Sequence, residues 1–237
     1  MESPNVLLLD TGDALVGGGP LGDYTKGEVI VDGMNHMGYD AMALGPKELG
    51  LGQDTLRQRL EEAEFPMLSA NTVLSGTQDL VAQPYSIVQV GNHRIGVIGV
   101  TRIPDGRLGV FQVLDPVQAA LEYVPQVAAQ SDVVVLLTNM PYRPAISLAQ
   151  AVPGIDLVVA ALPTQLPDKA LRTSNGALVI TAEQPLPRHA GRRVGRLVVT
   201  AGSDGALSDE SWQSVSMGPQ IPDDPLMTLL LEKHNPK

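Results

Sequence analysis

Apolar, β-branched runs recur along the chain, several of them nearly continuous. They are Val6–Leu9, Ala41–Leu44, Met67–Ala70, Ser86–Val90, Arg94–Val100, Val133–Leu137, Leu157–Ala160, Ala177–Thr181 and Val194–Thr200. Runs of this length without strict alternation predict strands covered on both faces. Between some of them the period changes to that of a helix. Asp54–Glu64 puts Leu56, Leu60 and Ala63 on one stripe. Asp115-Pro116 is a helix start, a capping carboxylate followed by proline at the first helical position. Val117, Ala120, Leu121, Val124 and Ala128 then keep helical spacing, with Pro125 expected to kink the helix. Tyr24–Met37 is expected as a third helix, weakened by Gly27 and Gly33.

Strands alternating with helices predict an α/β domain with largely parallel pairing. Tyr85–Val100 departs from that scheme: Gly91-Asn92 between two strand-like runs predicts a hairpin. Beyond Gly202 the chain turns polar, and Ile221–Lys237 is expected to form one short helix over Leu226, Leu229 and Leu230. No fixed-period repeat or linker divides the chain. One domain over 1–237 is expected, with a core at 1–201 and a hairpin and tail at 202–237.

Composition narrows the function classes. The 237 residues are enough to bury a sizeable core. A net charge of −10 disfavours binding to nucleic acid or to an anionic membrane surface. One Trp, five Tyr and two Phe leave little for a base-stacking surface. The absence of cysteine excludes disulfides, thiolate metal sites and thiol nucleophiles. No apolar run reaches the roughly 18 residues of a membrane span. Met1-Glu2-Ser3-Pro4 does not read as a signal peptide, so a cytoplasmic protein and an exported one whose leader was removed both stay open.

In open α/β sheets ligands bind beyond the carboxyl ends of strands. The segments there are Asp10-Thr11-Gly12-Asp13, Gly45-Pro46-Lys47-Glu48, Asn71, Thr138-Asn139 and Ala161-Leu162-Pro163-Thr164. These motifs resemble the calcineurin-like metallophosphoesterases, in their 5′-nucleotidase branch. Leu7-Leu8-Leu9-Asp10-Thr11-Gly12-Asp13 is similar to the second block of that branch. MNHMGYDAMALGPKELGLG is similar to N-x-x-G-Y-D-A-x-x-x-G-N-H-E-x-D-x-G, and FPMLSAN to the next strand and asparagine. VVVLLTN is similar to the strand that ends in Ser-His, AVPGIDLVVAALPT to V-P-G-I-D-x-I-I-x-G-H-x-H, and VGRLVV to a later strand. The resemblance runs in order over nearly the whole chain. It implies a four-layer α/β/β/α sandwich of two mixed sheets, with the first strand and its Asp-x-His block missing or truncated and no C-terminal nucleotide-binding domain.

Family members hold two metal ions that clamp phosphate and activate water. Here Asp13 keeps the position of the bridging aspartate, but the resemblance aligns other ligand positions with residues that do not ligate. Pro46 and Lys47 replace Asn and His, Asn139 replaces a histidine, and Leu162 and Thr164 replace two more. Proline and leucine carry no donor atom, and a lysine ammonium repels a cation. The resemblance therefore implies a vestigial site of Asp13, Lys47, Glu48, Asn71, Asn139 and Thr164. No metal is expected in it, Asp13 and Asn139 being the remaining candidates. The Lys47 ammonium is expected to replace a metal charge and pair with Asp13, with Glu48 sharing in it. The alternatives are that Asp13 caps a helix or turn and that Lys47 is a solvated surface lysine.

Lys47, Arg188, Arg192 and Arg193 are candidate anion ligands, and His189 lies among the arginines; a solvated loop is the plainer reading of that cluster. Gly17-Gly18-Gly19 lacks the Lys-Ser/Thr of a phosphate loop and reads as a flexible loop. His36 and His93 have no ligand-spaced partner and read as structural or exposed. No Gly-x-Ser-x-Gly elbow is present. The expected function is a non-catalytic nucleotidase homologue that binds a protein partner or small anionic ligand. The alternatives are a phosphoester hydrolase with an altered or externally completed site, using Mn²⁺, Mg²⁺ or Zn²⁺, and a small-anion sensor.

Overall fold

The computed structural model describes residues 5–106, 108–161, 170–181 and 193–235. In chain order the elements are β1 (Leu9–Asp10), α1 (Pro20–Tyr24), α2 (Glu28–Met37), β2 (Ala41–Ala43), α3 (Pro46–Gly50), α4 (Gln53–Glu62) and β3 (Met67–Leu68). Next come β4 (Thr72–Leu74), β5 (Tyr85–Val90), β6 (His93–Val100), β7 (Phe111–Val113), α5 (Pro116–Ala128), β8 (Val133–Thr138) and α6 (Tyr142–Ala151). The last are β9 (Leu157–Ala160), β10 (Leu171–Arg172), β11 (Leu178–Thr181), β12 (Arg193–Ala201), β13 (Leu207–Ser216) and α7 (Pro225–His234).

One sheet is parallel, in the order β1-β2-β3. The larger sheet runs β10-β11-β9-β8-β6-β5, parallel at its centre, with antiparallel β5 and β10 at its edges. β12 pairs with β13, and β4 with β7, as two-stranded ribbons. The side-chain period of two explains why the runs read as continuously apolar. In β2, Ala41 and Ala43 face the larger sheet, together with Leu68, Val97, Val135 and Leu137. Met42 and the following Leu44 face the other way, onto Val31 and Met34 of α2 and Leu56 of α4. The far side of the larger sheet packs Ile98, Leu136 and Val158 against Ala120 and Val124 of α5 and Ala145 and Leu148 of α6. The layers are therefore α/β/β/α, the fold class expected. Leu197, Val199, Leu207 and Trp212 of the β12–β13 ribbon close onto the core between the sheets.

Local differences have local causes. The expected helix over Tyr24–Met37 is α2, which begins only at Glu28, because Lys26 and Gly27 both take left-handed backbone (φ 51° and 86°) and separate it from α1. α5 continues past Pro125 to Ala128, its start capped by Asp115 accepting from the Val117 and Gln118 N–H groups. The turn expected at Gly91-Asn92 joins β5 to β6. The expected tail helix is α7, but Leu226 and Leu229 stand 61% and 60% exposed rather than covered. The sheets approach closely at Gly99, where a Cβ would strike the Leu68 carbonyl. Beside it the Ala70 N–H donates to the Gly99 carbonyl at 2.7 Å, setting the end of β3 against the end of β6.

Candidate functional site

The loop after β1 and the turn after β2 lie against each other. Gly12 (φ 91°) permits this, because a Cβ there would sit 2.5 Å from the Ala43 carbonyl oxygen. The Gly12 N–H donates to Asp10 Oδ1 at 2.7 Å, and Asp13 follows with left-handed backbone (φ 62°), uncommon outside glycine. Across from it, Gly45 is the extended N-cap of α3 and Pro46 its first residue.

Glu48 joins the two loops. It is fully buried, and both carboxylate oxygens accept from backbone. Oε2 accepts from the Asp13 and Gly45 N–H groups, each at 2.8 Å, and Oε1 from the Leu15 N–H at 3.0 Å. Burial, with the nearby Asp13 charge, pushes the Glu48 carboxyl up to about 7 against the pull of these three donors. Burial likewise raises Asp10 to about 6, opposed by the Gly12 N–H and reinforced by Asp13.

The pairing expected of the Lys47 ammonium with Asp13 does not occur. It is the Lys47 backbone N–H that donates to Asp13 Oδ1, at 2.8 Å. Asp13 thus satisfies an open amide of the first turn of α3, which is the capping alternative. The Lys47 side chain is exposed and lies over Gly17, its Nζ 3.1 Å from where a Gly17 Cβ would stand. Among the described residues it makes no ion pair with Asp13 or Glu48. The short α3 is capped by Gly45, which has no side chain to cover its amides, so Asp13 and Glu48 cover them.

Asn139, at the end of β8, is fully buried; its Oδ1 accepts from the Arg102 N–H at 2.8 Å. That bond fixes the amide orientation and leaves Nδ2 buried, with no partner among the described residues. A Cβ on Gly45 would collide with both Asp13 Oδ1 and Asn139 Nδ2, so these atoms flank the Gly45 Cα together. Asn71 is engaged throughout: Nδ2 donates to the Thr101 and Leu114 carbonyls (2.7 and 2.9 Å), and Oδ1 accepts from the Thr101 N–H (2.8 Å). It ties β4, β6 and β7 together. The Thr101 hydroxyl in turn donates to the Leu44 carbonyl at 2.8 Å, bracing the start of the Gly45 turn.

Asp13, Lys47, Glu48 and Asn139 therefore converge, with Asn71 one hydrogen-bonded layer behind. Leu162, Thr164, Arg188, His189 and Arg192 lie outside the described residues. Arg193 opens β12 and donates through Nε to Ser214 Oγ at 2.6 Å, within the ribbon. Asp10, named from sequence only as part of the first strand-end loop, also builds the site, as do Thr101 and Arg102, which were not singled out although each stands just beyond the end of an apolar run. The Arg102 Nε is buried without a partner among the described residues. Two surface grooves, of about 750 and 730 Å³, lie elsewhere. One separates α2 from α7 and the other borders β5.

Among the described residues the donor set does not fit a pair of metal ions. Among the described residues no group of three or more His, Asp or Glu is placed to hold a metal. Pro46 offers no donor, Glu48 has both oxygens on backbone amides, and Asn139 presents an N–H₂ toward the site, since its oxygen is taken. An N–H₂ cannot ligate a cation.

No family model matches this chain. Among curated relatives, a probable 5′-nucleotidase of Treponema pallidum is 30% identical over 169 residues, covering 67% of this chain and 28% of that protein. Protein UshA of Escherichia coli is 37% identical over 108 residues, covering 46% and 20%. Among solved structures, a 5′-nucleotidase precursor from Thermus thermophilus superposes with a TM-score of 0.84 at 26% identity, over 98% of this chain and 50% of that one. The calcineurin-like phosphoesterase YfkN of Bacillus subtilis does so with a TM-score of 0.76 at 23% identity, over 96% and 82%. The matched stretch is thus under a third of the length of these curated relatives. Sequence likeness and backbone likeness agree with the ordered motifs: the chain belongs to the calcineurin-like metallophosphoesterases, in their 5′-nucleotidase branch.

Proposed function

We propose that this chain is a non-catalytic member of the branch that uses the strand-end site for binding rather than hydrolysis. One observation carries the reading: most of the side-chain oxygens at the site already accept backbone N–H groups. Glu48 accepts three of them, Asn139 one through its only oxygen, and Asp13 one through Oδ1. The buried, unpartnered Asn139 Nδ2 favours a ligand that brings an oxygen acceptor, such as a small anion. A hydrolase with an altered or externally completed metal site is the competing reading, favoured by Asp13, whose Oδ2 takes no hydrogen bond among the described residues.

Metal analysis after purification in Mn²⁺ or Zn²⁺, paired with turnover of a generic aryl phosphate, separates the two. Substoichiometric metal and no turnover are expected. Two equivalents of metal with turnover would overturn the proposal.

A further inference from the structure

α7 is held to the molecule in an unusual way. No residue of α7 is buried as a whole, and Leu226, Leu229 and Leu231 face solvent. Met227 makes an apolar contact with α2, its Sδ lying 3.6 Å from where a Gly33 Cβ would stand. The polar contacts are two histidine–aspartate pairs of opposite polarity. His36 of α2 meets Asp224 at the start of α7, Nε2 to Oδ2 at 3.3 Å. His234 at the end of α7 meets Asp32 of α2, Nε2 to Oδ2 at 2.7 Å, with the imidazole only 6% exposed. Lys233 adds a longer contact to the same Asp32 carboxylate, at 3.5 Å. Between the helices runs the groove of about 750 Å³, lined also by Asp223 and Glu232. Every carboxylate there favours a positive imidazole at His36, and Lys233 is the cation placed against His234.

We propose that α7 is a strap whose docking onto α2 is controlled by protonation of His36 and His234. An imidazolium beside a carboxylate gives a charged hydrogen bond; a neutral imidazole leaves a weaker one and an aspartate without its counter-charge. With Leu226, Leu229 and Leu231 exposed, these pairs supply the charged part of its attachment. The sign follows. Docking is strongest where both imidazoles are charged, and weakens as pH rises from about 5.5 to 8. Asp224 stays ionised across that window: the Met227 N–H, then His36 and the Leu226 N–H, hold its carboxyl below the usual range. Release would uncover the α2 face around Gly33, on the helix that leads into β2 and the Gly45 turn. The inference is independent of the proposed binding function.

The test is hydrogen exchange on the full chain at pH 5.5 and 8, corrected for intrinsic exchange, with β8 peptides as reference. Protection of α7 peptides should fall at the higher pH by at least about threefold more than that of β8, as expected for a locally opening element. In a His36→Gln/His234→Gln variant, α7 should be weakly protected at both values. Asp32→Asn, which removes two of the three contacts but leaves the Asp224 cap, should lose most of the pH response. Unchanged wild-type α7 protection, or a fall shared equally by β8, would overturn the proposal. So would a pH response that survives in the double variant. If that variant loses β8 protection, the wild-type and Asp32→Asn pair decides.

Discussion

Glu48 shows how one side chain sets the site. A carboxylate out of contact with water is costly unless its oxygens are satisfied, and here three backbone N–H groups from two loops satisfy them. Glu48→Gln turns an N–H₂ toward at least one of those donors. The variant should lose about 1–3 kcal/mol, the penalty of a buried donor left unpaired, measured by urea unfolding. The same residue carries a pH signature. Glu48 and Asp10 are raised to about 7 and about 6 in the folded protein, so the folded state holds protons that the unfolded chain has already lost. Their contribution to stability is complete below ~4, where the unfolded chain also holds these protons, and is lost as pH rises through 6–7. The urea midpoint should therefore fall between pH 5 and 8, and the fall should be shallower in Glu48→Gln. An equal slope in both proteins would show that Glu48 does not titrate in this window. From sequence, Glu48 read as a partner for Lys47. Which atom of Lys47 reached Asp13 was not legible, because it depends on how closely Gly12 lets two loops approach.

Elements were legible where one physical signal dominated. β6 and β8 are apolar on both faces because helices cover one side and a second sheet the other, and composition alone conveys that. α5 announced itself through Asp115-Pro116. α6 did not, since it opens at Pro141-Tyr142 without a capping side chain. α3 was not legible either: five residues beginning Pro-Lys-Glu have no periodicity, and the turn is held by Asp13 and Glu48 from outside and within. Close approach between layers is equally silent in sequence. Gly99 looked like one more small residue in a strand, yet a Cβ there meets the backbone of Leu68, which has no rotamer to yield. Gly99→Ala should cost about 1–3 kcal/mol, seen as a lower thermal midpoint, because β6 must move from β3 to relieve the overlap. A neutral outcome would mean that the sheets are not packed as tightly there as the Ala70–Gly99 hydrogen bond indicates.

At the scale of the whole molecule, charge complicates the decision between binding and catalysis. With a net charge of −10 the surface attracts divalent cations in general, so a small thermal shift with Mn²⁺ says nothing about the site. The size of the shift and its dependence on Asp13 are what matter. A ligand at a hundred times its dissociation constant stabilises the native state by ~2.7 kcal/mol, which moves the midpoint of a domain this size by roughly 5–10 °C. The donor set predicts much less: a shift of under ~2 °C with Mn²⁺ or Zn²⁺, as diffuse surface binding would give. Ca²⁺ should produce a similar shift, and Asp13→Asn should leave it unchanged, since that carboxylate is one of many on an acidic surface. A specific site reverses each of these expectations: a large Mn²⁺ shift absent with Ca²⁺ and abolished by Asp13→Asn. Asparagine keeps an acceptor for the Lys47 N–H, so the variant tests the charge of Asp13 while preserving its cap on α3.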